Sequence, residues 1–101
     1  KTEAAYAREA LEPLKRQGVI RDYWHEPVKF RLADRTYYTP DYMLVLASGI
    51  IEFVEVKGRK GAGPWCEEDA AVKIKVAAEM YPFTFRMVWP AKGGGWSGRE
   101  Y

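Results

Sequence analysis

The opening stretch places Ala7, Ala10, Leu11 and Leu14 on one stripe of a helical wheel. That spacing belongs to an amphipathic helix with one buried side, so a helix is expected over residues 1–16. Gly18 is a suitable stop, because glycine takes the left-handed conformation that ends many helices. Pro13 lacks an N–H and is expected to kink the last turn. Residues 19–27 read as an extended link. Residues 28–32 alternate apolar and polar side chains, as a half-buried strand does. A turn over 33–36 leads to a second strand, 37–46, with Pro40 near its start, where a missing donor is tolerated. Residues 50–57 are β-branched and aromatic enough for a third strand. A Gly-rich loop, 58–64, precedes a second helix, 67–81, whose stripe is Ala70, Ile74, Ala77 and Tyr81. Pro82 ends it, and 84–89 form a fourth strand. Residues 92–101 carry three consecutive glycines and read as a flexible tail.

The order is α-β-β-β-α-β. Three strands joined by short turns make an antiparallel meander. A strand–helix–strand crossover then makes the fourth strand parallel to the third. The expected fold is α/β, a mixed four-stranded sheet flanked by helices, with 1–101 as a single domain.

Composition narrows the picture. The 101 residues carry 16 Lys and Arg against 14 Asp and Glu, a net charge of +2. So weak an excess does not announce a nucleic-acid partner, and any such claim must come from particular residues. The single cysteine, Cys66, excludes an internal disulfide framework, and one His with one Cys disfavours a structural zinc site. Cys66 and His25 read as packing or structural residues. No apolar run approaches the length of a membrane span. No secretory leader is evident, and a start at Lys1 without Met leaves an upstream stretch open. A reducing cytoplasm is the simplest expected compartment.

Two short segments carry the chemistry: Tyr38-Thr39-Pro40-Asp41-Tyr42 and Val54-Glu55-Val56-Lys57-Gly58. Glu55 and Lys57 are two apart on a strand and share a face. A two-residue turn at Ser48-Gly49 would set Asp41 opposite Val56. A three-residue loop, Ala47-Ser48-Gly49, sets it opposite Glu55 and supplies the glycine that such loops want last. The second register gathers Asp41, Glu55 and Lys57 at one end of a hairpin. Two adjacent carboxylates repel unless a proton or cation sits between them. Mg²⁺, a hard dication that keeps several waters, suits such oxygens, with the Val56 carbonyl as a third ligand. An ion of this kind polarises a phosphoryl oxygen and acidifies water, and Lys57 could orient that water or steady developing charge. These are the parts of metal-assisted phosphodiester hydrolysis.

Pro40-Asp41, thirteen residues, then Glu55-Val56-Lys57 resembles the PD-(D/E)XK nuclease superfamily. With Lys73-Ile74-Lys75 ahead of Tyr81-Pro82, the chain looks like a little-characterised, phage-associated branch. It is distantly similar to Holliday-junction resolvases. The resemblance spans roughly the whole chain. It implies a restriction-endonuclease-like core and a DNA endonuclease dependent on Mg²⁺, with Mn²⁺ as substitute. The implied products carry 5′-phosphate and 3′-hydroxyl ends. A second copy gripping the duplex as a homodimer is also implied, as are no organic cofactor and no membrane, with a bacterial host cytoplasm as the setting if phage-encoded. The alternative is a nucleic-acid-binding module with a degenerate nuclease fold that does not cut.

Many members of that superfamily carry a further acid on the first helix. Glu3 sits at the centre of the apolar stripe, where a charge wants a reason, whereas Glu9 and Glu12 lie away from it. Glu3 is therefore the expected additional metal ligand. On the second helix Lys73 lies at the edge of the stripe and is expected to line the site, while Lys75 points away. Arg59 and Lys60 are candidate contacts to a DNA backbone. Trp65 is the candidate stacking ring, the other aromatics being assigned mostly to packing.

Overall fold

The computed structural model describes residues 2–65 and 68–101. Lys1, Cys66 and Glu67 lie outside the described residues, and with them the expected first residue of each helix and the packing role of Cys66. Residues 2–16 form one helix, α1, in three parts. Thr2–Tyr6 and Glu12–Arg16 are α-helical, and Ala7–Leu11 between them is a π-helical turn. There the Glu12 N–H donates to the Ala7 carbonyl, five residues back. Pro13 has no N–H for the carbonyl four residues before it and its ring crowds that group. The chain meets Pro13 with a widened turn just upstream. Gly18, at φ 77°, ends the helix as its sequence position suggests.

Among the described residues nine strands follow: β1 Ile20–His25, β2 Phe30–Ala33, β3 Thr36–Tyr38, β4 Tyr42–Leu46, β5 Ile51–Val56, β6 Gly58–Lys60, β7 Gly63–Trp65, β8 Thr84–Pro90 and β9 Trp96–Glu100. The second helix, α2, spans Glu68–Met80 between β7 and β8. The main sheet has five strands in the order β1-β4-β5-β8-β9. Only β5 and β8 run parallel in it, joined through α2 as the crossover argument requires. The fold is α/β with a mixed sheet, and the expectation of four strands is corrected to five.

The differences have local causes. The first strand of the meander is β1, expected to be only a link. Its residues are Ile, Arg, Asp, Tyr, Trp and His, and Ile20 alone is fully buried, because β1 is an edge strand with a bulge beside Ile20. The expected first strand, 28–32, instead contributes β2, which pairs with β3 in a separate hairpin. The expected strand 37–46 is broken into β3 and β4 around Pro40, which cannot donate to a ladder. The 58–64 loop is itself a small hairpin, β6–β7. The expected tail at 92–101 is no tail: Trp96–Glu100 pairs antiparallel with β8 as the other edge. The three glycines at 93–95 all have positive φ and make the turn that brings it back.

Alternation along the strands sorts the core onto two faces. Tyr42, Leu44, Val54, Val56 and Val88 face Tyr6 and Leu11 of α1. Phe53, Phe85, Met87 and Trp89 face Ile74 and Ala77 of α2, together with Phe30 and Tyr38 from the β2–β3 hairpin. Phe85 packs at ring-centroid distances of 5.4 Å from Phe30 and 5.5 Å from Phe53. Among the described residues no helix is long and apolar enough to cross a membrane.

The β4–β5 turn sets the register on which the site depends. Tyr42 pairs with Val54 and Leu44 with Glu52, and the Leu46 N–H donates to the Ile50 carbonyl at 2.9 Å. The loop is thus the three residues Ala47-Ser48-Gly49, with Gly49 at φ 93°. A Cβ at Gly49 would meet nothing within 4 Å, so the demand is on backbone conformation alone. Gly49→Ala is expected to destabilise the fold by about 1–2 kcal/mol in urea unfolding. A loss of only a few tenths would show that this turn does not hold the register.

Candidate active site

The register carries one step further to place Asp41 opposite Glu55. Asp41 is almost fully buried, at 8% exposure. Its Oδ2 accepts the Val56 N–H at 2.7 Å. The reason lies one residue back. Continued along the ladder, Pro40 would stand opposite Val56, and proline has no N–H to exchange. The backbone stops pairing there, and the Asp41 side chain takes the Val56 donor. In an antiparallel ladder the N–H and C=O of one residue point toward the same neighbour. The Val56 carbonyl therefore also turns to the Asp41 edge, where Pro40 offers it no partner.

Glu55 is held at both oxygens. The Tyr38 hydroxyl donates to Oε1 at 2.9 Å, and the Lys57 ammonium lies 3.2 Å from Oε2. The Glu55 side chain is 12% exposed and that of Lys57 25%, so the pair sits at the rim of the interior. Asp41, by contrast, is pushed up to about 7. Burial is the main cause and the Glu55 charge the next. The Val56 N–H pulls the other way, Glu3 adds to the rise, and Lys57 offsets part of it. One cation and one buried N–H do not balance two carboxylates here, and near neutrality a proton on Asp41 relieves the excess.

The structure brings Asp41, Glu55 and Lys57 together and pairs the Glu3 carboxylate with His25. Helix α1 lies on the Val54–Val56 face of the sheet, while Glu55 alternates to the α2 face. The Glu3 carboxylate meets His25 Nε2 at 2.8 Å, and its main-chain carbonyl accepts the Tyr42 hydroxyl at 2.9 Å. His25 is raised in pKa chiefly by that bond to Glu3. Glu26 joins at 3.7 Å from the same nitrogen. Among the described residues, Glu3, His25 and Glu26 are three potential ligands within 4.8 Å of one another, a solvent-facing set with one nitrogen. Glu3 remains close enough to Asp41 to act on it through space.

Lys73 lines a shallow groove with Thr36, Glu68, Asp69 and Val72, between α2 and the start of β3. Arg59 and Lys60 are exposed on β6, directly after Lys57, and the Lys60 ammonium lies 5.7 Å from the centre of the Trp65 ring. Two contacts escaped the sequence reading. Tyr38 belongs to the Tyr38–Tyr42 segment, but nothing in the sequence distinguishes a packing ring from one whose hydroxyl reaches Glu55. His25 lacked a visible partner because Glu3 is 22 positions away. Compared with protein-family models, curated proteins and solved structures, the chain matches none.

Proposed function

We propose that this chain is a metal-dependent DNA endonuclease of the PD-(D/E)XK type, hydrolysing phosphodiester bonds. The reading rests on one observation: Asp41, Glu55 and Lys57 converge at one end of the β4–β5 hairpin, with Asp41 pushed up to about 7 by burial and by Glu55. The topology supports it. An antiparallel hairpin carries the acids, a helix follows, and the next strand returns parallel beside Glu55, paired with it at Met87. That is the order the resemblance implies for a restriction-endonuclease-like core.

The donors suit a hard dication. Asp41, Glu55 and the Val56 carbonyl offer oxygens only, and the excess negative charge at Asp41 is what such an ion relieves. These three would hold Mg²⁺, or Mn²⁺ in its place. Glu3 would join them only by leaving His25. When bound, the ion supplies Lewis acidity at a phosphoryl oxygen and makes water a better nucleophile. The protein's own groups do the rest. Glu55 fixes Lys57, and Tyr38 fixes Glu55, so the ammonium is held within reach of an attacking water or of charge growing on the phosphate. Deprotonated Asp41 is the form that binds metal, which ties activity to a pH near neutrality or above. Arg59, Lys60 and Trp65 stand on β6–β7 beside this edge as contacts to the nucleic acid.

The test is a panel of supercoiled, linear, single-stranded and four-way-junction DNA, incubated with Mg²⁺, with Mn²⁺ and with EDTA. Cleavage is expected with either metal and none with EDTA. DNA binding without metal-dependent cutting on any member would replace this reading with that of a non-cleaving binding module.

A further inference from the structure

Two hairpins stand outside the main sheet, and both are joined to the candidate site by very short segments. β2–β3 ends at Tyr38, three residues before Asp41, and β6–β7 begins at Gly58, immediately after Lys57. Each presents the same pairing at its surface. On the first, the Lys29 ammonium lies 4.5 Å from the Tyr37 ring centre, and on the second Lys60 lies 5.7 Å from that of Trp65. Tyr37 is 43% exposed and Trp65 63%. Alternation explains Tyr37. Its neighbour Tyr38 turns inward to Glu55, so Tyr37 must turn out, across from Arg31. Phe30, Leu32 and Tyr38 of the same hairpin pack on the core, while Tyr37 and Arg31 face outward.

Charge is distributed to match. Residues 28–38 hold three cations and one acid, and residues 58–65 hold two cations and no acid. Together they exceed the net charge of the whole chain, +2, so the remaining residues are net acidic. Both hairpins that flank Asp41 and Glu55 along the chain therefore carry a net positive charge, against a net acidic remainder. With an ammonium over one ring face, a base stacks on the opposite face and the adjacent phosphate takes the cation, so each pair meets both parts of one nucleotide. In a duplex the base faces are covered by their neighbours. Exposed rings gain only from bases that are unpaired.

We propose that Lys29–Tyr37 and Lys60–Trp65 are two nucleotide-binding units that hold an unpaired DNA strand on either side of the candidate site. The substrate class is then single-stranded DNA, free or as the unpaired arm of a fork or flap. This rests on the nuclease reading for its substrate, but the surface is testable without cleavage. Fluorescence anisotropy in EDTA would compare one labelled oligonucleotide as single strand, as duplex and as RNA. Wild type is expected to prefer the DNA single strand to the duplex by about tenfold or more. Tyr37→Ala with Trp65→Ala should weaken that binding by at least about 30-fold, the loss of two stacked bases, and weaken duplex binding by far less. Lys29→Gln with Lys60→Gln should flatten the salt dependence of single-strand binding. All four side chains can be altered without opening the core, and circular dichroism would confirm the fold. Duplex binding equal to or tighter than single-strand binding, single-strand binding indifferent to the two rings, or tighter binding of RNA would each overturn the proposal. Single-strand preference with no Mg²⁺-dependent cutting would instead uphold this surface and remove the nuclease.

Discussion

Asp41→Asn is expected to abolish Mg²⁺-dependent cleavage while leaving the metal-free protein at least as stable as wild type at pH 8. The two halves of the result have one cause. Asn keeps the shape and an oxygen that can accept the Val56 N–H, which Asp41 Oδ2 accepts at 2.7 Å. It loses the charge that Glu55 repels and that the ion requires. An ion at this position is worth several kcal/mol to the transition state, so a fall of at least about 10³ in kcat/KM follows, roughly 4 kcal/mol. The stability half follows from linkage. The folded Asp41 titrates at about 7, above its unperturbed value of 3.8. Between those values the folded state holds a proton that the unfolded chain has released, so wild-type stability falls as pH rises through this window and levels off above it. The drop is on the order of a few kcal/mol. The variant should lack this component, and Mg²⁺ should restore stability to wild type above pH 7 but not to the variant. Urea unfolding at pH 5 and pH 8, with and without Mg²⁺, reads all of this. Equal pH dependence in the two proteins would show that Asp41 is not under the strain that motivates the metal assignment.

Lys57→Ala should lower kcat by about 10²–10³-fold, the scale for removing one preorganised charge from a transition state. It should not weaken Mg²⁺ binding. Lys57 is a cation 3.2 Å from a proposed ligand oxygen, Glu55 Oε2, so deleting it removes a competitor for that oxygen. Metal affinity by calorimetry should stay level or tighten while turnover collapses. This split separates a catalytic lysine from a merely structural one. If the Glu55–Lys57 pair only tied off a hairpin end, the variant would lose about 1 kcal/mol of stability and cleave at the normal rate.

The hairpin that carries both residues was legible because its constraints are local. Pro40 forbids continued pairing, Gly49 permits the left-handed turn, and strict alternation then places Asp41 with Glu55 and Glu55 with Lys57. Glu3 was not legible, and α1 shows why. A wheel drawn for a regular helix assumes 3.6 residues per turn throughout. The π-helical turn at Ala7–Leu11 inserts about one residue, so everything before it is rotated by about 100° relative to everything after it. Glu3 therefore does not share a stripe with Leu14. The edge strands escaped for another reason. Ile20–His25 and Trp96–Glu100 each have one neighbour in the sheet and bury little, so neither shows the alternation by which a strand is read.

By itself the chain order determined two helices, a hairpin of known register and a parallel strand returning beside Glu55, because turns, prolines and periodicity act over a few residues. Only the tertiary structure decided which strands close the sheet, that Glu3 turns to His25, that Tyr38 clasps Glu55 and that Tyr37 is left facing outward. Those outcomes depend on which face of one element meets another, and contacts across tens of residues leave no mark in local spacing.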